Sequence, residues 1–197
     1  MKVGKFDALF GEFCLTENTI PSLGTVILPK VINSYREKFP KIRIKIYVQG
    51  STQITEKCEK GSLDIGLVSV HEKTDFNEKL LFTTLWTGKL MAYVGKKSPL
   101  VNRKVILFRE LLPYDLFLFG QEFSLHRYCL DKIGEYGVPR VMSTTQNPEM
   151  IKRFVMQTDT IGFGPDISLK EDIYVKQHLL FPIEISDALP IKFGGRL

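Results

Sequence analysis

The first third of the chain alternates strand and helix signals, and this alternation constrains the fold more than any other feature of the sequence. Residues 42–48, IRIKIYV, place an apolar side chain at every second position, which predicts a strand whose apolar side chains share one face. A short strand is predicted before it at 11–16, and a mostly apolar strand follows at 62–70, as expected for a parallel strand covered on both faces. Helix signals fill the gaps, so the order β-α-β-α-β predicts an α/β sheet with right-handed crossovers.

The helix between the first two strands begins with conflicting signals. In NTIPSLGTVILP (18–29), hydroxyl and amide side chains could cap a helix N-terminus, yet Pro29 follows only seven residues after Ser22. A proline inside an established helix removes a hydrogen bond and bends the helix. We therefore predict a helix with its N-cap at Ser22, a kink at Pro29 and an end at Pro40.

A second set of α/β signals follows without a flexible linker, which predicts two lobes with a cleft between them. In both sets a capping residue follows a strand and precedes a helix: Ser22, Ser51 or Thr52, Ser124 and Asn147. Helix N-termini at the carboxyl ends of strands attract anions. Each residue alone could be only an N-cap, which contributes about 1 kcal/mol to its helix. The four together favour a shared cleft.

The charge and hydropathy patterns argue against DNA contact and against a membrane. The net charge is +5, but the basic residues are scattered and only KKSPLVNRK (96–104) concentrates them. No window approaches 18 uncharged apolar residues, the length of a membrane span. Asp7 and Glu12 interrupt the apolar region that a signal peptide would need, so we expect the protein in the cytoplasm.

The sequence carries no recognisable catalytic or metal-binding motif. GxSxG, HExxH, P-loop and GxGxxG patterns are all absent. Ser124 and His126 are two residues apart on a predicted helix, so their side chains point in different directions. Cys14, Cys58 and Cys129 are widely spaced, which favours reduced, buried thiols over a redox pair or metal site. We therefore expect no enzyme, no cofactor and no metal.

Residues 11–68 resemble the start of the effector-binding domain of LysR-type bacterial transcription regulators. The blocks that carry the resemblance are Ile20-Pro21-Ser22, Ile27-Leu28-Pro29, Phe39-Pro40, Gly50-Ser51-Thr52 and Gly61-Ser62-Leu63-Asp64-Ile65-Gly66. Three weaker blocks follow, KKSPL (96–100), FRELLPYDLFLF (108–119) and FVMQTDTIGFGP (154–165). The segment TDT (158–160) departs from the glycines usual in the family.

The resemblance implies a two-lobed α/β fold like that of type II periplasmic binding proteins, with two crossover strands. Residues 1–90 together with 186–197 would form effector-binding subdomain I, and residues 91–185 subdomain II. The winged helix-turn-helix of the family precedes this region, and too few residues lie before Cys14 to hold it, so we expect it to be absent from this chain. The family's last helix would follow Leu197 and is also expected to be absent.

The resemblance also implies the function and its residues. The chain would be an effector-sensing and dimerisation domain that binds a small, anionic metabolite, forms a homodimer or tetramer, and reaches DNA only through the absent domain. A solute-binding protein of a transport system and an enzyme on the same fold remain alternatives. Ser124 occupies the place of the reactive cysteine of peroxide-sensing members, which argues against peroxide sensing. Seven residues are expected at the effector and three at the dimer interface: Ser22, Ser51, Thr52, Ser69, Ser124, Thr145 and Phe163; and Val31, Tyr35 and Ile44.

Overall fold

The computed structural model describes residues 6–7, 12–71 and 80–196 as two lobes, each built on a six-stranded sheet. The strands of lobe I are β1 (Phe6–Asp7), β2 (Glu12–Thr19), β3 (Arg43–Val48), β4 (Gly66–His71), β5 (Phe82–Gly88) and β12 (Ile191–Arg196). Those of lobe II are β6 (Leu90–Gly95), β7 (Val105–Ile106), β8 (Asp115–Phe119), β9 (Arg140–Thr145), β10 (Ile161–Pro165) and β11 (Leu180–Ile185).

Eight helices in the described residues accompany these sheets. Lobe I carries α1 (Pro21–Val26), α2 (Leu28–Lys38) and α3 (Ser51–Glu59). Lobe II carries α4 (Phe108–Leu111), α5 (Ser124–Gly134), α6 (Pro148–Val155), α7 (Asp166–Lys170) and α8 (Ile173–Lys176). No helix in the described part of the chain is long and apolar enough to span a membrane.

The strand pairing confirms the predicted α/β fold. Strand β2 pairs in parallel with both β3 and β4, which is the β-α-β-α-β unit expected from the sequence. The order in lobe I is β1-β2-β4-β12-β5, with β3 also on β2, and the order in lobe II is β7-β11-β6-β10-β8-β9. The chain crosses between the lobes twice, through Lys89 and through residues 186–190. The late strand β12 therefore completes the first sheet, between β4 and β5.

The helix around Pro29 corrects our prediction of a single kinked helix. The structure has two helices, because α1 ends at Val26 and α2 begins at Leu28, with Ile27 between them. Pro29 lies in the first turn of α2, where the missing N–H would have no partner in any case. The proline therefore permits a new helix start and breaks no established helix.

Three of the four predicted N-caps also differ from the structure. The N-cap residues of α1, α3 and α5 are Ile20, Gly50 and Phe123, none of which makes a side-chain capping hydrogen bond. The predicted caps Ser22, Ser51, Thr52 and Ser124 lie one or two residues inside the helices, where their hydroxyls are not used for capping. The prediction for Asn147 is confirmed, since its side chain accepts hydrogen bonds from the N–H groups of Glu149 and Met150.

The apolar core continues from one lobe into the other. One cluster of buried side chains includes Ile54 and Val68 of lobe I together with Leu116 and Ile161 of lobe II. A second cluster lies within lobe II and contains four aromatic rings, those of Tyr93, Phe117, Phe119 and Phe123. Three of these rings, those of Tyr93, Phe119 and Phe123, line the space between the lobes.

Candidate functional site

A cavity of about 600 Å³ lies between the two lobes. Lobe I lines it with residues of α1, α2, α3 and β4, and lobe II with residues of α5, α6, α7 and β10. Its volume corresponds to about 20 water molecules of the bulk liquid, since each occupies about 30 Å³. The cavity is within the size range of small-molecule sites.

Serine hydroxyls form the lobe I side of this cavity. The Ser69 N–H donates to the Ser51 Oγ at 3.1 Å, and the Oγ atoms of Ser51 and Ser69 are 3.2 Å apart. If the Ser51 hydroxyl donates its hydrogen bond to the Ser69 Oγ, the Ser69 hydroxyl is left to donate into the cavity. Both side chains are more than nine-tenths buried from bulk solvent. The pair can therefore offer a fixed donor to a ligand.

Two further serines add hydroxyls from opposite lobes. Ser22 is 9% exposed and lines the cavity from α1, and within the described residues its hydroxyl has no hydrogen-bond partner. Ser124 lines the cavity from the first turn of α5 in lobe II. A ligand between the lobes can therefore contact hydroxyls of both.

The lobe II side of the cavity is largely aromatic. Phe119 and Phe123 pack with their ring centroids 5.0 Å apart and their planes tilted by 45°. Phe163 of β10 and Tyr93 of β6 complete this wall, and Leu125 extends it. All four rings are at least nine-tenths buried, so they are held by packing and cannot turn away from the cavity without disturbing the core.

The acidic side chains of lobe II at the cavity already have partners. Asp172 forms an ion pair with Lys152, and it also accepts a hydrogen bond from the Tyr174 N–H at 2.8 Å. Glu149 accepts hydrogen bonds from the Tyr174 hydroxyl and from Arg153, and the Tyr174 bond is the main reason that the pKa of Glu149 is lowered. These carboxylates are consequently committed to the protein.

The lobe I side of the cavity carries a cation and no carboxylate among its described lining residues. Of the described residues that line the cavity from lobe I, Lys30 is the charged one, and the lining from this lobe includes no acid. Within the described part of the chain, the Lys30 ammonium forms no ion pair within 4 Å. Glu171 on the opposite lobe binds Lys176 at 2.5 Å, and that hydrogen bond is the largest cause of its lowered pKa.

The lobes also touch directly beside the cavity. Helix α1 of lobe I packs against α7 of lobe II. The loop at Gly50 approaches the loop at Glu122 so closely that a Cβ atom on Gly50 would lie 2.0 Å from the Glu122 carbonyl oxygen. We call this arrangement, in which the two lobes are in contact beside the cavity, the closed arrangement.

Comparison with known proteins places this arrangement in a family. The family model described as "LysR substrate binding domain" matches residues 18–192. This chain belongs to the LysR substrate-binding domain family. A relative named as an uncharacterised HTH-type transcriptional regulator, YwbI of Bacillus subtilis (strain 168), is 26% identical over 147 residues, which are 74% of this chain and 48% of the relative. The chain spans about half the length of the curated relatives it matches.

Solved structures of LysR domains share the fold. The C-terminal domain of a probable LysR-family transcriptional regulator from Rhodococcus sp. RHA1 has a TM-score of 0.74 at 18% identity and covers 93% of this chain and 89% of its own. The effector-binding domain of QuiR in complex with shikimate has a TM-score of 0.73 at 14% identity, with coverages of 93% and 87%. Such LysR effector-binding domains have the type II periplasmic-binding-protein-like fold that the sequence predicts.

The structure of this LysR domain brings together five of the seven residues expected at an effector, since Ser22, Ser51, Ser69, Ser124 and Phe163 all line the cavity. Thr52 is exposed and does not line it. Thr145 lies outside the lining, and its hydroxyl accepts a hydrogen bond from the Asn147 N–H at 3.2 Å. Whether these residues bind an effector stays a prediction.

Several cavity residues were not anticipated from the sequence, chiefly Lys30, Lys152, Phe119 and Phe123. Phe123 directly precedes Ser124, so its place next to a predicted cleft residue was the one available signal. Lys152 and Lys30 each lie on a helix among other basic residues, and no pattern distinguishes them from a solvated face.

The three residues expected at a dimer interface of this LysR domain lie on α2 and β3 of lobe I. Val31 on α2 is 53% exposed, and Tyr35 and Ile44 are half-buried. Next to them, β3 exposes Ile46 and Val48, so its apolar face is only partly covered within the chain. The dimer interface stays a prediction.

The Cys129 thiol of the second lobe is shielded from solvent. Cys129 is fully buried, and burial raises the pKa of its thiol well above the usual range. A buried, protonated thiol reacts slowly with oxidants. In the described part of the chain, moreover, no three His, Cys, Asp or Glu side chains are grouped so that they could hold a metal ion.

Proposed function

We propose that this chain is the effector-sensing and dimerisation domain of a LysR-type transcription regulator that acts in the cytoplasm. It would bind a small anionic metabolite between its lobes and transmit the bound state to a DNA-binding domain. Residues 1–90 with 186–197 would form one effector-binding subdomain and residues 91–185 the other. The observation that carries the proposal is the 600 Å³ cavity between the lobes, with hydroxyls from both lobes on its wall.

The charge distribution supports an anionic ligand. The lobe I wall offers Lys30, Ser22 and the Ser51–Ser69 pair, without an acid in the lining from that lobe. A Kd of about 1 μM to 1 mM, suited to an intracellular metabolite, corresponds to roughly 4 to 8 kcal/mol. Charge-assisted hydrogen bonds contribute about 1.5 to 3 kcal/mol each, so three or four of them would suffice.

The relatives support the regulatory role. The curated proteins that match this chain are named as transcriptional regulators, and the solved QuiR domain was determined with shikimate bound. The proposal carries over from them only that a small molecule binds in the cleft of such a domain.

The closed arrangement gives the ligand a way to act. Since Ser22 lies on lobe I and Ser124 on lobe II, a ligand that binds both is held fully only when the lobes are closed. A ligand shifts a conformational equilibrium only through its different affinities for the two states. Closure in response to the effector would then alter the orientation of whatever is attached to the domain.

The proposal is tested by thermal unfolding of the purified chain across a panel of anionic metabolites. We expect at least one compound to raise the Tm, and the Ser22→Ala and Ser124→Ala variants to lose most of that response. Ser34→Ala, on the exposed side of α2, is the matched control and should respond like the parent chain. An unchanged response in both cavity variants would show that the effector binds elsewhere.

A further inference from the structure

The two walls of the cavity differ in chemistry, and this difference describes the ligand. Lobe I presents serine hydroxyls and the Lys30 ammonium, next to a few aliphatic side chains. Lobe II presents the rings of Tyr93, Phe119, Phe123 and Phe163, next to two serines and the charged side chains that are paired within that lobe. A ligand that fills the cavity would therefore have a polar end facing lobe I and an apolar body facing lobe II. We propose that the effector is an aromatic carboxylic acid, with its carboxylate on lobe I and its ring against the phenylalanines of lobe II. This inference rests on the function proposed above.

The size of the cavity argues against the smallest anions. A space of about 600 Å³ holds about 20 water molecules, so sulfate, phosphate or acetate would leave most of it filled with water. Water in contact with the rings of Phe119 and Phe123 is displaced favourably by an apolar group. A ring system of one or two rings uses this part of the wall, and a small anion does not.

The aromatic character of the wall favours a ring over an alkyl chain. Phe119 and Phe123 are already packed in a tilted pair, with centroids 5.0 Å apart, and each is 9% exposed. A further ring can join such a pair edge to face or offset-stacked, and an aromatic pair contributes beyond its buried area. A flexible alkyl chain gains the buried area alone and loses more conformational freedom on binding.

The carboxylates of lobe II explain why the acid end should face lobe I. Asp172, Glu149 and Glu171 line the lobe II side and are paired with Lys152, Arg153 and Lys176. A ligand carboxylate placed there would meet three negative groups whose cations are already engaged. At the lobe I wall it would meet Ser22, the Ser69 hydroxyl and Lys30 instead.

The experiment compares matched probes by ligand-observed NMR and calorimetry on the intact chain. The probes are 3-phenylpropanoate, indole-3-propanoate, 3-phenylpropanamide, 3-cyclohexylpropanoate, butanoate, sulfate and phosphate. We expect at least one aromatic acid to bind at least tenfold more tightly than butanoate, and the amide to bind at least tenfold more weakly than the corresponding acid. Lys30→Gln should weaken binding of the acid and leave binding of the amide unchanged.

Two variants of the aromatic wall make the test specific. Phe123→Leu and Phe119→Leu keep an apolar side chain, and each should weaken binding of the aromatic acid by about three- to tenfold. The same variants should change binding of 3-cyclohexylpropanoate less than twofold. Tyr136→Leu, at an exposed position beyond α5, is the control and should have no effect on either. Each variant is checked for an unchanged unfolding transition. If one of the two phenylalanine variants is unstable, the other still provides the test.

The outcomes separate this inference from the proposed function. If only sulfate, phosphate or butanoate binds, and Ser22→Ala abolishes that binding, the cleft is an effector site and the aromatic class is wrong. If no ring acid binds, the aromatic class is also wrong. If a ring acid binds but is unaffected by Ser22→Ala, Ser124→Ala and Phe123→Leu, both the ligand class and the cleft assignment are overturned.

Discussion

Gly50 and Glu122 meet backbone to backbone from opposite lobes, so the closed arrangement has no room for a side chain at position 50. The backbone conformation of Gly50, with φ −74° and ψ 151°, is one that any residue adopts. The requirement for glycine here therefore comes from the opposite lobe and not from the local backbone. A substitution at Gly50 can therefore test whether the lobes close through this contact.

We expect Gly50→Ala to hold the lobes apart, because its Cβ atom would overlap the Glu122 carbonyl oxygen. Small-angle X-ray scattering should show a larger radius of gyration, and any ligand that contacts both lobes should bind more weakly. Gly134→Ala is the control, since a Cβ atom at that helical position meets nothing within 4 Å. A Gly50→Ala chain with the scattering curve and ligand affinity of the parent would show that closure does not use this contact.

The ion pair between Lys152 and Asp172 should stabilise lobe II substantially. The Asp172 side chain is 5% exposed and that of Lys152 is 18% exposed, so removing the lysine leaves a buried carboxylate without its cation. Lys152→Met should lower the free energy of unfolding by about 3 kcal/mol, measured by chemical denaturation. Lys176→Met removes one member of an exposed pair with Glu171 and should have little effect. Equal effects of the two substitutions would contradict this account.

His71 should make the fold sensitive to mild acid. It is 3% exposed and stacks on Tyr128 with centroids 4.0 Å apart, and burial lowers its pKa from the ordinary 6.5 to about 4. The unfolded chain then binds a proton more readily than the folded one, so stability present above about pH 6.5 is lost as the pH falls towards 4. Two to three pKa units correspond to about 3 kcal/mol.

The measurement compares the parent chain with His71→Phe, which keeps a stacked ring but cannot be protonated. Between pH 7 and pH 4 the parent should lose about 3 kcal/mol more of its free energy of unfolding than the variant. The remaining ionisable groups are the same in both proteins and cancel in the difference. Parallel pH profiles would mean that His71 is protonated equally easily in the folded and unfolded chains.

The Cys129 thiol should resist chemical modification in the native state. It is fully buried, and its raised pKa leaves almost no thiolate at neutral pH. Iodoacetamide should leave the Cys129 peptide unlabelled for hours in buffer and label it fully in denaturant, as measured by mass spectrometry. Rapid labelling or peroxide oxidation of Cys129 in the native chain would contradict this prediction and would support a redox role for the thiol.

The predicted dimer surface is tested by charge substitution. If Val31 is buried against a second copy, Val31→Glu would bury an unpaired carboxylate at a cost of several kcal/mol, and self-association should weaken more than tenfold. Val105→Glu, at a similarly exposed position on β7 of lobe II, is the control. Sedimentation velocity measures both. A dimer that withstands Val31→Glu must use another surface.

The sequence predicted the buried strands and also the exposed strand β3, whose alternation is visible locally, and it missed two exposed strands that lack such a pattern. β4 and β10 have almost every side chain covered and were predicted from their mostly apolar runs. β5 and β9 were missed because most of their side chains are exposed and carry no alternation, so they are strands only through pairing with distant segments. Such pairings, as of β5 with β12, are invisible to a local pattern.

The serines of the site were predicted from the sequence, whereas most of its aromatic wall and its lysines were missed. Ser22 and Ser51 were found, although for a wrong reason, since the residues before them provide the helix N-caps and leave the hydroxyls available to the cavity. In the sequence, Phe119 and Phe123 look like ordinary core residues. Nothing local distinguishes Phe119, which faces the cavity, from Phe117, which packs inside the lobe.

The two chain crossings have a consequence for how the molecule forms. The second sheet is built from one continuous stretch, from β6 to β11, whereas the first needs β12, more than 100 residues after β5. During synthesis the second sheet can assemble as soon as its own residues have emerged from the ribosome, while the first waits for a late strand. Pulsed hydrogen exchange during refolding should therefore protect the amides of β10 before those of β4, and the cleft would come into existence only in the last step.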